Sequence, residues 1–160
     1  MSATFIDTPL GKFRVQFTAL GLARLQFPKT KVEPITGSIE PQKNWLRQTT
    51  ATLKNMLAGR APENLPPLDL SAGTTFQQQT WRSLLCIPAG RTCGYGELAR
   101  AIHRPKAARA IGSACGANPI PVLIPCHRVI GANGSLIGFS GGMDWKVKLL
   151  EIERVKLPLH

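Results

Sequence analysis

No stretch of this chain approaches the ~18 consecutive apolar residues that a membrane-spanning helix needs. The N-terminus, Met1-Ser2-Ala3-Thr4, lacks the basic segment and apolar run of a secretory signal. Both absences point to a cytosolic (cytoplasmic) protein with no membrane partner. The four cysteines, Cys86, Cys93, Cys115 and Cys126, form no C-x-x-C pair, which argues against a zinc site. Outside a secretory context they read as reduced thiols rather than disulfides. Acidic residues are scarce: 9 Asp plus Glu stand against 20 Lys plus Arg, for a net charge of +11. The excess is larger from Gly73 onward, with 11 basic residues against 4 acidic, than before it, with 9 against 5. A basic surface favours phosphate-bearing partners through counterion release. Charge kept for solubility accounts equally well for the composition alone.

What is present suggests two units, 1–72 and 73–160, in a chain of 160 residues. In the first, Phe13, Val15 and Phe17 alternate with Lys12, Arg14 and Gln16, and Ala23, Leu25 and Phe27 with Arg24 and Gln26. Period-2 patterning of this kind predicts antiparallel strands with one wet face. Pro9-Leu10-Gly11 and Ala19-Leu20-Gly21 supply the turns. Trp45, Thr49, Leu53 and Met56 then repeat at helical spacing up to Gly59. The proline-rich stretch 61–73 reads as a linker. Nothing in this unit suggests chemistry, so its expected role is a scaffold.

The second unit opens with Thr75 and Gln78 spaced as a capping box, followed by a helix. Short helices over about 95–102 and 106–117, with Pro105 at the first position of the second, read as a helix-turn-helix or an ordinary helical hairpin. The second of these helices is rich in small residues: Ala107, Ala108, Ala110, Ser113, Ala114, Gly116 and Ala117, with Arg109 projecting among them. An ordinary helix is roughly 10–12 Å across, and the DNA minor groove is only about 6 Å wide. Small residues would let this helix approach a widened minor groove, or simply pack closely on a neighbour. Asn118-Pro119 ends it. Val122-Leu123-Ile124 is an apolar run that reads as a buried strand or core segment, stopped by Pro125. Cys126 and His127 follow at once, either as a nucleophile beside its base or as a buried thiol beside a surface imidazole. The glycine-rich loop Gly138-Phe139-Ser140-Gly141-Gly142 marks a close backbone approach or a flexible bend, and has no lysine in P-loop spacing. A last helix, about 145–154, turns Trp145, Leu149 and Ile152 inward and carries Glu151 and Glu153.

Ile124-Pro125-Cys126-His127-Arg128-Val129 resembles the active-site signature of the O6-alkylguanine-DNA alkyltransferases, the methylated-DNA–protein-cysteine methyltransferases. The resemblance covers about Thr75 to Glu153. It includes Phe76-Gln77-Gln78-Gln79-Thr80-Trp81, Tyr95-Gly96-Glu97-Leu98-Ala99, Ala107-Ala108-Arg109-Ala110-Ile111-Gly112, Asn118-Pro119 and Ser140-Gly141-Gly142. It implies an α/β (α+β) architecture: a small ribonuclease H-like sheet-plus-helix domain ahead of a mostly helical domain with a winged-helix-like helix-turn-helix. It implies a monomeric repair protein, without cofactor, that binds double-stranded DNA bearing alkylated bases through the minor groove. A damaged guanine is flipped out, and its alkyl group moves once and irreversibly to Cys126; O4-alkylthymine is a further candidate substrate.

By the same resemblance His127 is the base that acts through water to keep Cys126 a thiolate, and Glu153 holds its tautomer. Asn118 ties the recognition helix to the acceptor segment. Tyr95 donates to the flipped base. Arg109, with Ala108 beside it, fills the stack. The backbone of Val129 and Ser140 reads the guanine, and Phe139 lines the pocket. The chain departs from the family pattern at Phe139, where tyrosine is common, at Gly94, where serine or threonine caps, and at Arg154, where glycine is usual. Two other classes compete: a damage-binding module with no need of Cys126, and a cysteine hydrolase built on Cys126, His127 and Glu153. The transfer chemistry itself asks for no metal, because a base oriented by a carboxylate raises the thiolate fraction.

Overall fold

The computed structural model describes residues 4–31, 33–131 and 142–156. The chain divides into two compact units, Met1–Ala72 and Gly73–His160. It is a mixed α/β protein: a small antiparallel sheet and several helices.

In the first unit, β1 (Thr4–Thr8), β2 (Gly11–Thr18) and β3 (Gly21–Gln26) form a meander in the order β1-β2-β3. The alternation read from the sequence sorts the side chains. Ile6, Phe13, Val15, Phe17, Leu25 and Phe27 are buried. They share the core with Leu53, Met56 and Leu57 of α1 (Lys43–Leu57). Helix α1 ends in a paired C-cap: Gly59 N donates to Met56 O and Arg60 N to Asn55 O, with Gly59 at φ +79°. The expected linker is not free of the sheet. Leu22 N donates to Pro67 O at 2.8 Å, and Asp69 N donates to Leu22 O at 2.7 Å. The close approach explains Gly21, where a Cβ would lie 2.3 Å from the Pro67 carbonyl oxygen.

The second unit contains α2 (Thr75–Leu84), β4 (Cys93–Gly94), α3 (Tyr95–Ala101), α4 (Ala108–Gly116), a 3-10 turn (Cys126–Arg128), β5 (Val129–Ile130) and α5 (Met143–Ile152). The capping box lies one residue earlier than the spacing suggested: Thr74 Oγ1 accepts from Gln77 N, and Gln77 Oε1 accepts from Thr74 N. Helix α3 starts at Gly94 with half of such a box, since Glu97 Oε1 accepts from Gly94 N but glycine has no side chain to reciprocate. Helix α4 begins at Ala108, not at Lys106, because Pro105 and Lys106 belong to the turn over residues 102–107. Trp81 Nε1 donates to Ala114 O at 2.8 Å and fixes α2 against α4.

Of the two readings of residues 122–124, the buried core segment holds and the strand does not. These residues lie in a buried turn closed by Ile124 N donating to Ile120 O, with Val122 at φ +74°. The physical reason is Asn118. Its Nδ2 donates to Ile124 O at 2.8 Å and its Oδ1 accepts from Ile120 N at 2.9 Å. The side chain thus occupies the backbone groups that a strand partner would need. Cys126 N then donates to Ile124 O, and the chain enters the 3-10 turn. Short parallel pairing of β4 with β5 sets Cys93 beside Val129. In α5 the buried stripe is Lys146, Leu149 and Leu150; Trp145 and Ile152, expected inward, are only partly buried.

Candidate functional site

Cys126 opens the 3-10 turn and is 2% exposed. Burial pushes its thiol up to about 11, opposed first by a hydrogen bond from Asn118 and then by the ammonium of Lys146. The resting sulfur therefore keeps its proton at neutral pH. His127, the next residue in the chain, is not among the groups that act directly on that sulfur to lower its value. Asn118 follows α4 directly and donates to Ile124 O, two residues before Cys126.

His127 Nε2 lies 2.9 Å from Glu153 Oε2, with the two side chains 1% and 6% exposed. Burial alone would raise the Glu153 carboxyl. Hydrogen bonds from His127 and Arg128 outweigh it and hold the group down to about 2. A carboxylate so acidic is acceptor-only at neutral pH, so Nε2 carries the hydrogen. Burial meanwhile pulls the imidazole below its ordinary value, so the ring is neutral and Nδ1 keeps a lone pair. Nδ1 is buried, with no hydrogen-bond partner among the described residues. A basic nitrogen is thus aimed inward by a carboxylate on its other side.

Two members of this constellation escaped the sequence reading. Lys146 is 1% exposed and its Nζ donates to Val129 O at 2.8 Å. Arg128 is 5% exposed and grips Glu153 through Nε and Nη2. The signal for Lys146 was its place three and four residues before Leu149 and Leu150, on the buried stripe of α5. Arg128 had no such signal beyond its position next to His127.

Tyr95, the first residue of α3, is partly buried, and its ring lies 3.8 Å from where a Cβ on Gly112 would stand. Burial, followed by the neighbouring thiols of Cys115 and Cys126, pushes its hydroxyl up to about 12, so it is a donor at neutral pH. Val129 is buried in β5, and its carbonyl already accepts from Lys146. Arg109 and Ala110, Ser113, Gly116 and Ala117 are exposed on α4, while Ile111, Ala114 and Cys115 face the core. The small residues thus form an outer face, with Ala108 half-buried at its start, instead of serving only helix packing. Phe139 and Ser140 lie outside the described residues. Among the described residues no group of three or more His, Cys, Asp or Glu could hold a metal ion, and no helix is long and apolar enough to cross a membrane.

The second unit thus holds a buried thiol, an imidazole oriented by a carboxylate, and a helix whose outer face carries small residues and Arg109. Residues 75–155 match the model of the 6-O-methylguanine DNA methyltransferase DNA-binding domain. The methylated-DNA–protein-cysteine methyltransferase of Mycobacterium leprae is 41% identical over 149 residues, covering 93% of this chain and 90% of that protein. That of Methanosarcina mazei is 42% identical over 156 residues, covering 95% and 96%. The crystal structure of Mycobacterium tuberculosis OGT in complex with DNA superposes with a TM-score of 0.81 at 40% identity, covering 95% of this chain and 92% of that one. The chain belongs to the methylated-DNA–protein-cysteine methyltransferase family, DNA-binding methyltransferases of DNA repair.

Proposed function

We propose that this protein draws an O6-alkylated guanine out of double-stranded DNA and takes the alkyl group onto Cys126, once and irreversibly. The observation that carries the reading is a buried thiol next in the chain to an imidazole whose Nε2 is held 2.9 Å from Glu153. As the alkyl carbon approaches, the Cys126 proton passes through water to Nδ1 of His127. The sulfur attacks the sp³ carbon, the C–S bond forms and the C–O bond to guanine breaks. Asn118 and Lys146 stabilise the developing negative sulfur, and Tyr95 donates toward the charge that appears on the leaving purine. The product thioether has no leaving group comparable to guanine, so one molecule performs one transfer. A cysteine hydrolase has no use for the smooth outer face of α4.

DNA as partner is supported by the complex of the Mycobacterium tuberculosis relative and by the +11 charge. The outer face of α4, bare except for Arg109, suits entry into the minor groove with Ala108 at the contact and Arg109 in the vacated stack. Base extraction costs a few kcal/mol, which an inserted side chain partly offsets. In this reading α3 and α4 are the helix-turn-helix of a winged-helix-like domain, the first unit is a ribonuclease H-like scaffold, and the protein works as a cytoplasmic monomer. Val129 and Ser140 read the base through their backbones, Phe139 lines the alkyl pocket, and O4-alkylthymine is a secondary substrate. The test is intact mass after mixing with duplex carrying O6-methylguanine. One methyl, added stoichiometrically to Cys126, is the expected result. Retained binding with unchanged mass would instead make the protein a damage-binding module.

A further inference from the structure

Arg128 makes four hydrogen bonds and none reaches the thiol. Nε contacts both oxygens of Glu153 at 2.9 and 3.1 Å, Nη2 contacts Oε2 at 2.7 Å, and Nη1 donates to Ile87 O at 2.6 Å. The guanidinium and the carboxylate are each 6% exposed. We propose that Arg128 is a positioning residue for the transfer: by pairing with Glu153 it keeps His127 uncharged, with Nδ1 available to receive a proton. The inference rests on the reading of His127 as the base.

A buried carboxylate with only an imidazole beside it favours the imidazolium, because an opposite charge at contact stabilises the charged form. An imidazolium is protonated at both nitrogens and can accept nothing. Arg128 supplies the positive charge in place of the ring, so Glu153 is satisfied while His127 donates one N–H and stays neutral. The charged and titratable groups that face His127 are Glu153, which favours the imidazolium, and Arg128 and Lys146, which oppose it; the Cys126 thiol is its neighbour in the chain. Only Arg128 contacts the carboxylate through a planar fork. Its third nitrogen, anchored on Ile87 O beyond the end of α2, fixes the fork in place.

The test is an NMR titration of the His127 ring in the full chain, assigned against His103 and His160, alongside the pH dependence of methyl transfer from O6-methylguanine duplex. In the parent protein His127 is expected to be neutral at neutral pH, protonated on Nε2, and to titrate below about 6.5, the ordinary histidine value. In Arg128→Met its titration should rise by at least about 1 pH unit, and the acid limb of the transfer profile should rise with it. Arg128→Lys should fall between the two, keeping the charge without the fork. A His127 that is charged at neutral pH in the parent, or unmoved in folded Arg128→Met, would overturn the inference. If Arg128→Met does not fold, the parent titration alone decides. If the ring titration moves and the transfer profile does not, Arg128 keeps its assigned effect and the role of His127 as base falls.

Discussion

The two units bury different kinds of polar side chain. Among the described residues of the first, the buried polar residues are Gln16, Gln26, Thr49 and Thr52, all uncharged, and part of the Arg14 and Arg24 guanidinium groups is covered as well. Thr49 and Thr52 hydroxyls and the Gln26 amide donate to nearby backbone carbonyls. In the second they include His127, Arg128 and Lys146, gathered around Cys126 and Glu153. An uncharged group needs only a hydrogen bond to be tolerated inside. A buried ion costs several kcal/mol even after relaxation. On the proposed function, that cost is borne in the second unit because the transfer takes place there, while the first unit acts as a scaffold.

The sharpest way to break this contrast is to disable one unit at a time. Cys126→Ser should abolish methyl transfer completely while DNA binding and the urea midpoint stay near the parent. Transfer by that variant would remove Cys126 as acceptor. In the first unit, Leu53 is 0% exposed, and Leu53→Ala should cost about 2–5 kcal/mol of stability in urea denaturation. Its transfer rate, measured where the protein is folded, should be unchanged. A slower rate in the folded variant would mean that the first unit shapes the site.

The charged cluster also has a pH signature that the uncharged core lacks. The Glu153 carboxyl is held down to about 2 from 4.5. A depressed carboxyl contributes stability that is complete above its unfolded value and lost as pH falls toward its folded one. The loss should therefore fall between about 4.5 and about 2, and amount to roughly 2–3 kcal/mol. Urea midpoints measured across that range for the parent and Glu153→Gln should converge as the pH falls. Asp69, in the first unit, is also lowered and contributes to both curves alike. Curves that stay parallel would show that the carboxylate gains nothing from its partners.

The contrast between the units was only half visible in the sequence. Strands and α1 were legible because alternation and helical spacing sort apolar from polar residues with no knowledge of partners. The capping box was misplaced by one residue because Thr74-Thr75 and Gln77-Gln78 offer two equivalent registers. The run 122–124 read as a strand or a core segment because apolarity reports burial, not pairing, and the bonds that make it a turn come from a side chain, Asn118. Cys126 and His127 stood out by their adjacency as a candidate nucleophile and base, whereas Glu153 was tied to them only through the resemblance, since it meets His127 across 26 positions of chain. Lysine and arginine are expected at the surface, which hid Lys146 and Arg128. The electrostatics were least legible: burial decides the thiol, and burial is not written in local sequence.

The smallest effect concerns how the helices of the two units end. Helices α1, α3 and α5 close with the same pair of backbone bonds, around Gly59, His103 and Arg154, at φ +79°, +62° and +61°. Only the first of these is a glycine. A side chain in that conformation costs roughly 1–2 kcal/mol, and glycine returns part of it as greater freedom in the unfolded chain. Glu153 is the residue just before Arg154 and caps α5, so this strained position lies beside the carboxylate that orients His127. Arg154→Gly should raise stability by up to about 1 kcal/mol, read as a higher melting temperature, with transfer unchanged. Gly59→Ala should lower stability by a similar or larger amount. If Arg154→Gly lowers the melting temperature, the arginine side chain stabilises the end of α5 by more than its backbone costs, and the likeness between the three helix ends stops at their hydrogen bonds.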